Sequence, residues 1–284
     1  MLKKFNMTIT VAAALFAWWI ITPTSIIKAE QILNYSSSAQ IHAAFKDGDG
    51  LDAFEKTTGI KVNTYVTSSQ ATIYRLMAGL CDLASTTTRE LSYEQQDKGC
   101  IQIRFCKDPL AVIVNSQNEI NDIFDNQLND IFTGKITNWK QVGGPDQPII
   151  VIIPEKDSSI YQGFNYAVMK GKTIKHDVIM NKSTMVIAAV EKFPAGISFV
   201  SHGASINEKG IHVLKINGLE PNNKCYPYFQ AFSFVVKGKP EGPAKQFIDF
   251  AFSDKGEKII KSRGMMPLSN EEYLNAMKTC SDVK

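Results

Sequence analysis

The chain has 284 residues, of which 44% are hydrophobic and 21% are charged, and its formal net charge at pH 7 is +3. Residues 1–29 contain Lys3, Lys4 and Lys28 and no acidic residue, so the remaining 255 residues are formally neutral. A formally neutral chain gives no electrostatic indication of binding to nucleic acid or to an anionic membrane surface. Those 255 residues suffice for one large domain or two modest ones.

The first 29 residues have the pattern of a signal peptide. Two lysines, Lys3 and Lys4, precede an apolar run at residues 7–21, and Pro23 ends it. Ala29 then offers a cleavage site before Glu30. The run of about 15 residues is shorter than the roughly 20 that span a bilayer, which favours export with cleavage near Ala29 over an uncleaved anchor. We therefore predict a periplasmic protein.

Three strands are predicted near the start of the secreted chain, and each ends in a cluster of hydroxyl side chains. The strands cover residues 31–35, 60–66 and 81–85. A helix at 71–80 follows the second strand, and Arg89 comes after the third. The clusters are at residues 36–38, 67–69 and 86–88, with a fourth at 157–159 after a later strand.

These clusters predict a site for a small anion. The carboxyl ends of the strands of an open α/β sheet face one crevice, where helix N-termini offer free N–H groups. A single serine or threonine at such a junction is typical of a helix N-cap and needs no ligand. Repetition at four junctions favours a shared binding site.

The segment at residues 128–144, LNDIFTGKITNWKQVGG, predicts a short amphipathic helix and a turn. Leu128, Ile131 and Phe132 share one helix face, and the turn is anchored by Trp139. A strand at 147–153 and a long apolar strand at 226–236 are predicted after it.

Five cysteines are present, Cys81, Cys100, Cys106, Cys225 and Cys280, and an odd number leaves at least one thiol unpaired. Residues 100–106 are predicted as a strand, whose ends would lie about 20 Å apart, too far for a disulfide between them. No CxxC motif or Cys/His spacing indicates a metal site, and no cofactor is predicted.

The motifs IFTGKITNW (131–139) and FIDFAFSDKGEKII (247–260) resemble those of PstS-type phosphate-binding proteins, which serve ABC importers. The resemblance extends over residues 32–268. It implies an α/β, two-lobed periplasmic-binding-protein fold of type II, each lobe a mixed sheet flanked by helices and joined by hinge strands. It assigns residues 30–109 and 226–284 to lobe I and residues 110–225 to lobe II. It also favours a Cys106–Cys225 disulfide, with buried free thiols as the alternative.

The resemblance also implies which residues bind the ligand. The hydroxyl positions that it carries over to the cleft, with their neighbours, are Ser36, Ser37, Ser38, Ser68, Ser69, Ser158 and Ser159. Two positions depart from the family pattern. Thr87 stands where the family has an aspartate that accepts a phosphate proton, and Glu155 stands where it has an arginine that neutralises charge.

Glu155 therefore has three interpretations. It is the acceptor for a phosphate proton while Arg89 or Lys156 supplies positive charge, or it binds a donor on a different ligand, such as an amine or a sugar hydroxyl. In the third interpretation it is a surface residue that an ungapped alignment misplaces.

The implied function is capture of phosphate or a similar oxyanion by a monomer and its delivery to an ABC permease. Presentation of the ligand to a membrane sensor is an alternative that the sequence does not separate from transport. An enzyme is a further alternative, although the chain has no nucleophile elbow, P-loop or H-E-x-x-H motif. No catalytic residue is predicted.

Overall fold

The computed structural model describes residues 31–46, 49–268 and Glu271. The predicted signal peptide, its cleavage site near Ala29 and Cys280 lie outside the described residues. Within the described ranges, no helix has the length and the apolar composition that crossing a membrane requires.

Strands and helices alternate along most of the described chain. The strands are β1 (Ile32–Ser38), β2 (Lys61–Thr67), β3 (Leu83–Thr86), β4 (Cys100–Asn115), β5 (Asp122–Ile123), β6 (Ile150–Pro154), β7 (Val178–Met180), β8 (Gly196–Ser201), β9 (Ile211–Val213), β10 (Lys215–Ile216), β11 (Phe229–Lys237) and β12 (Met266–Pro267). The helices are α1 (Ala39–Lys46), α2 (Gly50–Thr58), α3 (Ser69–Met77), α4 (Tyr93–Asp97), α5 (Asp125–Thr133), α6 (Ser159–Phe164), α7 (Ser183–Lys192), α8 (His202–Ser205), α9 (Gly242–Ala251) and α10 (Asp254–Ser262). A 3-10 helix covers Trp139–Val142, and a π-helical turn covers Asn165–Met169.

The three strands predicted at residues 31–35, 60–66 and 81–85 are confirmed as β1, β2 and β3, with ends shifted by one to three residues. Helix α3 begins two residues earlier than predicted. Ser68 is the N-cap of this helix, and its side-chain oxygen accepts a hydrogen bond from Ala71 N at 3.3 Å. The cap fixes the start of the helix at Ser69.

Ten of the twelve described strands form one mixed sheet in the order β2-β1-β3-β11-β4-β8-β6-β7, with β9 and β12 paired to β4, while β5 and β10 pair in a separate two-stranded sheet. Strand β1 is parallel to β2 and β3, so their carboxyl ends lie at one edge. Strands β6, β7 and β8 form a second parallel group. The order therefore gives two parallel groups on either side of the antiparallel pair β11 and β4.

Strand β4 connects the two groups and changes partners along its length. Its first part pairs with β11 from Cys100 to Pro109. From Leu110 onward it pairs with β8, and then with β9 near its end. The change of partner therefore falls between Pro109 and Leu110.

Two large apolar clusters lie on either side of that point. One contains Phe105, Phe234 and Phe247, and the rings of Phe105 and Phe234 stack with centroids 4.2 Å apart. The other contains Trp139 and Phe199, and it includes α5, α6 and β8. Each fully buried aromatic side chain of this size stabilises the fold by roughly 2–3 kcal/mol.

The helix and turn predicted at residues 128–144 are confirmed. Helix α5 is followed by Gly134, which caps its C-terminus with a φ of 74° that glycine adopts without strain. The indole of Trp139 is fully buried, and its Nε1 donates a hydrogen bond to Ala195 O at 3.0 Å. This bond connects the turn to the start of β8.

The predicted Cys106–Cys225 disulfide is wrong, because both cysteines are free thiols. Cys106 lies in the cluster of Phe105 and Phe234, where its Sγ is 3.9 Å from the sulfur of Met265. Cys225 precedes Tyr226, which belongs to the cluster of Trp139 and Phe199. Cys106 is therefore buried in one cluster, whereas Cys225 is partly exposed beside a residue of the other.

The long strand predicted at residues 226–236 starts later than predicted, at Phe229. Tyr226 is part of a turn in which its N–H donates to Asn223 O at 2.9 Å. Pro227 follows and has no N–H for a strand ladder. The apolar pattern was correct for the strand interior and did not reveal this turn.

Candidate ligand-binding cleft

A cleft with a volume of about 1250 Å³ lies at the carboxyl ends of β1, β2 and β3. Its first wall is formed by residues 38–40, 67–70 and 87–89, which follow these strands. Its second wall is formed by Asp157, Ser159, Gln162, Gly163, Tyr166, Ala167, Lys170 and Gly171, in and around α6 and the π-helical turn. Its floor is formed by Pro227, Phe229, Gln230 and Ala231, at the start of β11.

The N-termini of α1 and α3 both open into the first wall. The first N–H groups of a helix have no acceptor within the helix, and they carry the positive end of its dipole. Ser38 precedes α1, and its buried hydroxyl has no hydrogen-bond partner among the described residues. The wall thus presents donors to the cleft.

Two hydroxyls of the first wall are joined to each other. Ser69 Oγ lies 2.9 Å from Thr87 Oγ1, and it also accepts a hydrogen bond from Thr87 N at 3.1 Å. These contacts connect the start of α3 to the residue after β3. They place the predicted Ser69 and Thr87 side by side in the cleft.

Ser36 and Ser37 lie behind the wall and not among its lining residues. The hydroxyl of Ser37 contacts Tyr35 OH at 3.2 Å and Ser85 Oγ at 3.1 Å, in a group of three buried hydroxyls. Burial raises the pKa of Tyr35 to about 12, so this phenol remains a hydrogen-bond donor. Ser36 accepts a hydrogen bond from Arg75 Nε at 2.9 Å. Both serines therefore hold the end of β1, which carries Ser38.

The second wall contains Ser159, but Ser158 and Glu155 are not among its lining residues. Ser158 caps α6, because its Oγ accepts from Tyr161 N at 3.3 Å. The same hydroxyl donates to Glu155 O at 2.5 Å. Glu155 is exposed, and the carboxylate that does line the cleft belongs to Asp157.

Three charged residues line the cleft: Arg89, Asp157 and Lys170. Among the described residues of the first wall none carries a carboxylate, and the cleft lining as a whole holds one more cation than anion. The guanidinium of Arg89 lies 4.5 Å from the ring centroid of Tyr166, in the opposite wall. This cation–π contact connects the two rims of the cleft.

The floor contributes a polar side chain that the sequence analysis did not single out. Gln230 is buried, at 6% exposure, and its Nε2 has no hydrogen-bond partner among the described residues. Next to it, the ring of Phe229 lies 4.4 Å from Lys107 Nζ, a buried ammonium. A single glutamine within the apolar strand FQAFSFVVK was the available signal.

Of the nine predicted site residues, five line the cleft: Ser38, Ser68, Ser69, Thr87 and Ser159. Lys170 and Tyr166 were missed, because they follow α6 in an irregular turn that no motif marks. Within the described part of the chain, no group of three or more His, Cys, Asp or Glu side chains is arranged to hold a metal ion.

Comparison with known proteins gives one family match and several relatives. The sequence profile of the PBP superfamily domain matches residues 31–255. The phosphate-binding protein PstS of Borreliella burgdorferi is 28% identical over 196 residues, which cover 63% of this chain and 70% of that protein. The protein of the same name from Bacillus subtilis is 28% identical over 167 residues, covering 57% of this chain and 55% of that protein.

A solved structure shows the fold. The crystal structure of an ABC-type phosphate transport receptor from Vibrio cholerae superposes with a TM-score of 0.67 at 24% identity, covering 82% of this chain and 99% of that one. The likeness confirms the predicted α/β, two-lobed fold. The cleft described above lies between the two groups of strands of that fold.

Proposed function

This chain belongs to the PBP superfamily, and on that premise we propose that it is a PstS-type binding protein that captures phosphate. This chain resembles proteins from B. burgdorferi, B. subtilis and V. cholerae, and the names of all three proteins specify phosphate. Those relatives are binding and transport proteins, and we assign no catalysis to this chain.

The observation that carries the proposal is the convergence of hydrogen-bond donors on one cleft. Two helices of eight and nine residues, α1 and α3, begin at its first wall. The buried hydroxyl of Ser38 is left without a partner there. A buried donor without a partner destabilises the free protein, and an anion that accepts from it recovers that loss.

The positive charge comes from residues outside the family's usual position. Arg89 and Lys170 face the cleft from opposite walls. A dianion between these two cations is attracted to both, and the attraction is screened by water because Arg89 and Lys170 are exposed. The charges of Arg89 and Lys170 therefore replace the arginine whose position Glu155 occupies.

We assign the proton-acceptor role to Asp157 and not to Glu155. Asp157 is the carboxylate among the described residues that line the cleft, whereas Glu155 is not among them. Hydrogen phosphate carries a proton that a carboxylate can accept, and sulfate near neutral pH does not. Asp157 would therefore favour phosphate over sulfate by accepting from the former and repelling the latter.

Capture requires the lobes to close on the ligand. We assign residues 30–109 and 226–284 to lobe I and residues 110–225 to lobe II. Support comes from β4, which changes partner between Pro109 and Leu110, and from the apolar clusters on either side of that change. The Arg89–Tyr166 contact joins the rims that approach on closure.

The site of action is outside the cytoplasm. We assign residues 1–29 to a cleaved signal peptide, and the secreted monomer to the periplasm. Its partner is an ABC permease that receives the phosphate. A membrane sensor that reads the closed form is the second candidate, because the same closed surface serves either partner.

Equilibrium dialysis tests the binding function. The secreted chain, residues 30–284, is dialysed against radiolabelled phosphate near pH 7.5. We expect about one phosphate per chain, displaced by unlabelled phosphate. No retention at phosphate concentrations on the order of 1 mM would overturn the proposed function.

A further inference from the structure

Gln230 is a buried amide at the floor of the cleft. It is 6% exposed, and its Nε2 donor has no hydrogen-bond partner among the described residues. Buried polar side chains in folded proteins are almost always paired, so an unpaired donor on a residue that lines a cleft points to a group that pairs with it when a ligand binds. Ser38, at 2% exposure, has the same property in the adjoining wall.

The opposite wall is shaped to leave room for this glutamine. A Cβ atom at Gly163 in α6 would lie 2.8 Å from Gln230 Cγ and 3.0 Å from its Cδ. Such distances are shorter than carbon atoms tolerate, so any side chain at position 163 would displace Gln230. Glycine at this position keeps the amide at the cleft floor, between the two walls.

The strand that carries Gln230 belongs to the centre of the sheet. β11 pairs with β3 on one side and with β4 on the other, and Gln230 is opposite Asp108 of β4. The amide is therefore held by a central strand, whereas the serines and the cations stand on the walls. A ligand that contacts both walls at the floor of the cleft would therefore also contact Gln230.

We propose that Gln230 is a ligand-binding residue whose amide donates a hydrogen bond to an oxygen of the tetrahedral anion, together with the hydroxyl of Ser38. This inference rests on the proposed function and adds to it a contact from the floor of the cleft. A neutral donor stabilises the anion without adding charge, so Gln230 strengthens binding of phosphate and sulfate alike. Discrimination between the two anions is left to Asp157.

The test compares Gln230→Met with wild type, because methionine has the same unbranched length and lacks the amide. Phosphate affinity is measured by calorimetric titration, and the Tm is measured with and without phosphate. We expect affinity to fall at least about tenfold. The Tm of the free protein should be unchanged or higher, because a buried unpaired donor has been removed. Gln230→Glu should weaken binding further by placing a negative charge against the anion.

Asn115→Leu is the matched control, because Asn115 is a buried amide whose Nδ2 donates to Val190 O at 3.1 Å and to Glu191 O at 2.8 Å. It should show the reverse pattern, with a lower Tm and unchanged affinity. Wild-type affinity in Gln230→Met would overturn this inference alone. A wild-type chain that binds neither phosphate nor sulfate would overturn the proposed function and this inference together.

Discussion

Ser69 Oγ lies 2.9 Å from Thr87 Oγ1 in the first wall of the cleft, and the N–H of Thr87 donates to the same serine oxygen at 3.1 Å. One of the two hydroxyls donates its proton to the other oxygen. The hydroxyl that accepts keeps its own proton free for another acceptor, whichever residue donates. The pair therefore offers one O–H donor to the cleft and fixes the loop after β3 to the start of α3.

Replacing Thr87 by valine tests this pair. The substitution keeps the branched shape and removes the hydroxyl. Ser69 loses the partner that orients its hydroxyl, so the O–H donor that the pair offers to the cleft is no longer held in place. We expect phosphate affinity to fall by about tenfold, because a hydrogen bond to a charged group is worth roughly 1.5–3 kcal/mol. The measurement is calorimetric titration, with circular dichroism as the folding control. Undiminished affinity in a folded variant would remove Thr87 from the site.

Arg89 and Lys170 supply the positive charge of the cleft. Arg89→Gln and Lys170→Gln should each weaken phosphate binding by roughly three- to tenfold, and the loss should shrink as salt is added, because partly exposed charges are screened. Lys140→Gln is the matched control, since Lys140 pairs with Asp146 on an exposed turn and does not line the cleft. Equal effects of all three substitutions would show that only the net charge of the protein matters.

Asp157 sets the preference among anions in this account. Asp157→Asn removes the charge that repels sulfate and the acceptor for a phosphate proton. We expect the ratio of phosphate to sulfate affinity to fall by about tenfold, with sulfate binding more tightly than in wild type. Glu155→Gln is the comparison variant and should leave the ratio unchanged. A fall in the ratio in Glu155→Gln instead would assign the acceptor role to Glu155.

Asp108 makes stability depend on pH. Burial raises the pKa of its carboxyl from 3.8 to about 7, while Ser201 Oγ donates to it at 2.6 Å. Between about pH 4 and pH 7 the folded protein holds this proton and the unfolded chain does not. The contribution of Asp108 to stability therefore falls as pH rises through that window, by at most about 4 kcal/mol, and is constant above it.

Thermal unfolding of wild type and Asp108→Asn from pH 5 to pH 8 measures this effect. The asparagine keeps an acceptor for Ser201 and cannot ionise. We expect the variant to gain stability relative to wild type as pH rises, with the largest difference at pH 8. Parallel curves for the two proteins would mean that Asp108 does not carry the pH dependence.

The sequence predicted the part of the site that follows the rules of parallel sheets. Hydroxyls at the carboxyl ends of β1, β2 and β3 lie together because these strands run in one direction, and this places Ser38, Ser69 and Thr87 in one wall. Alternation along the chain decides which hydroxyl faces the cleft. Ser37 instead faces Tyr35 and Ser85, which the cluster of three serines alone did not reveal.

The rest of the site depends on geometry that no local pattern contains. Glu155 follows the last residue of β6, and the turn capped by Ser158 presents Asp157 to the cleft in its place. Lys170 lies after a π-helical turn and has a φ of 52°. Gln230 comes from a strand that returns to the sheet far along the chain, so its place at the floor follows from the topology alone.

Calorimetric titration of residues 30–284 with phosphate and sulfate at pH 7.5 tests the central claim most directly. The account predicts one phosphate per chain, bound with micromolar or tighter affinity, and sulfate bound more weakly. An absence of phosphate binding in a folded sample, by heat and by displacement of labelled phosphate, would contradict it. The cleft would then have to serve a ligand whose donors match Asp157 and the hydroxyls of its walls.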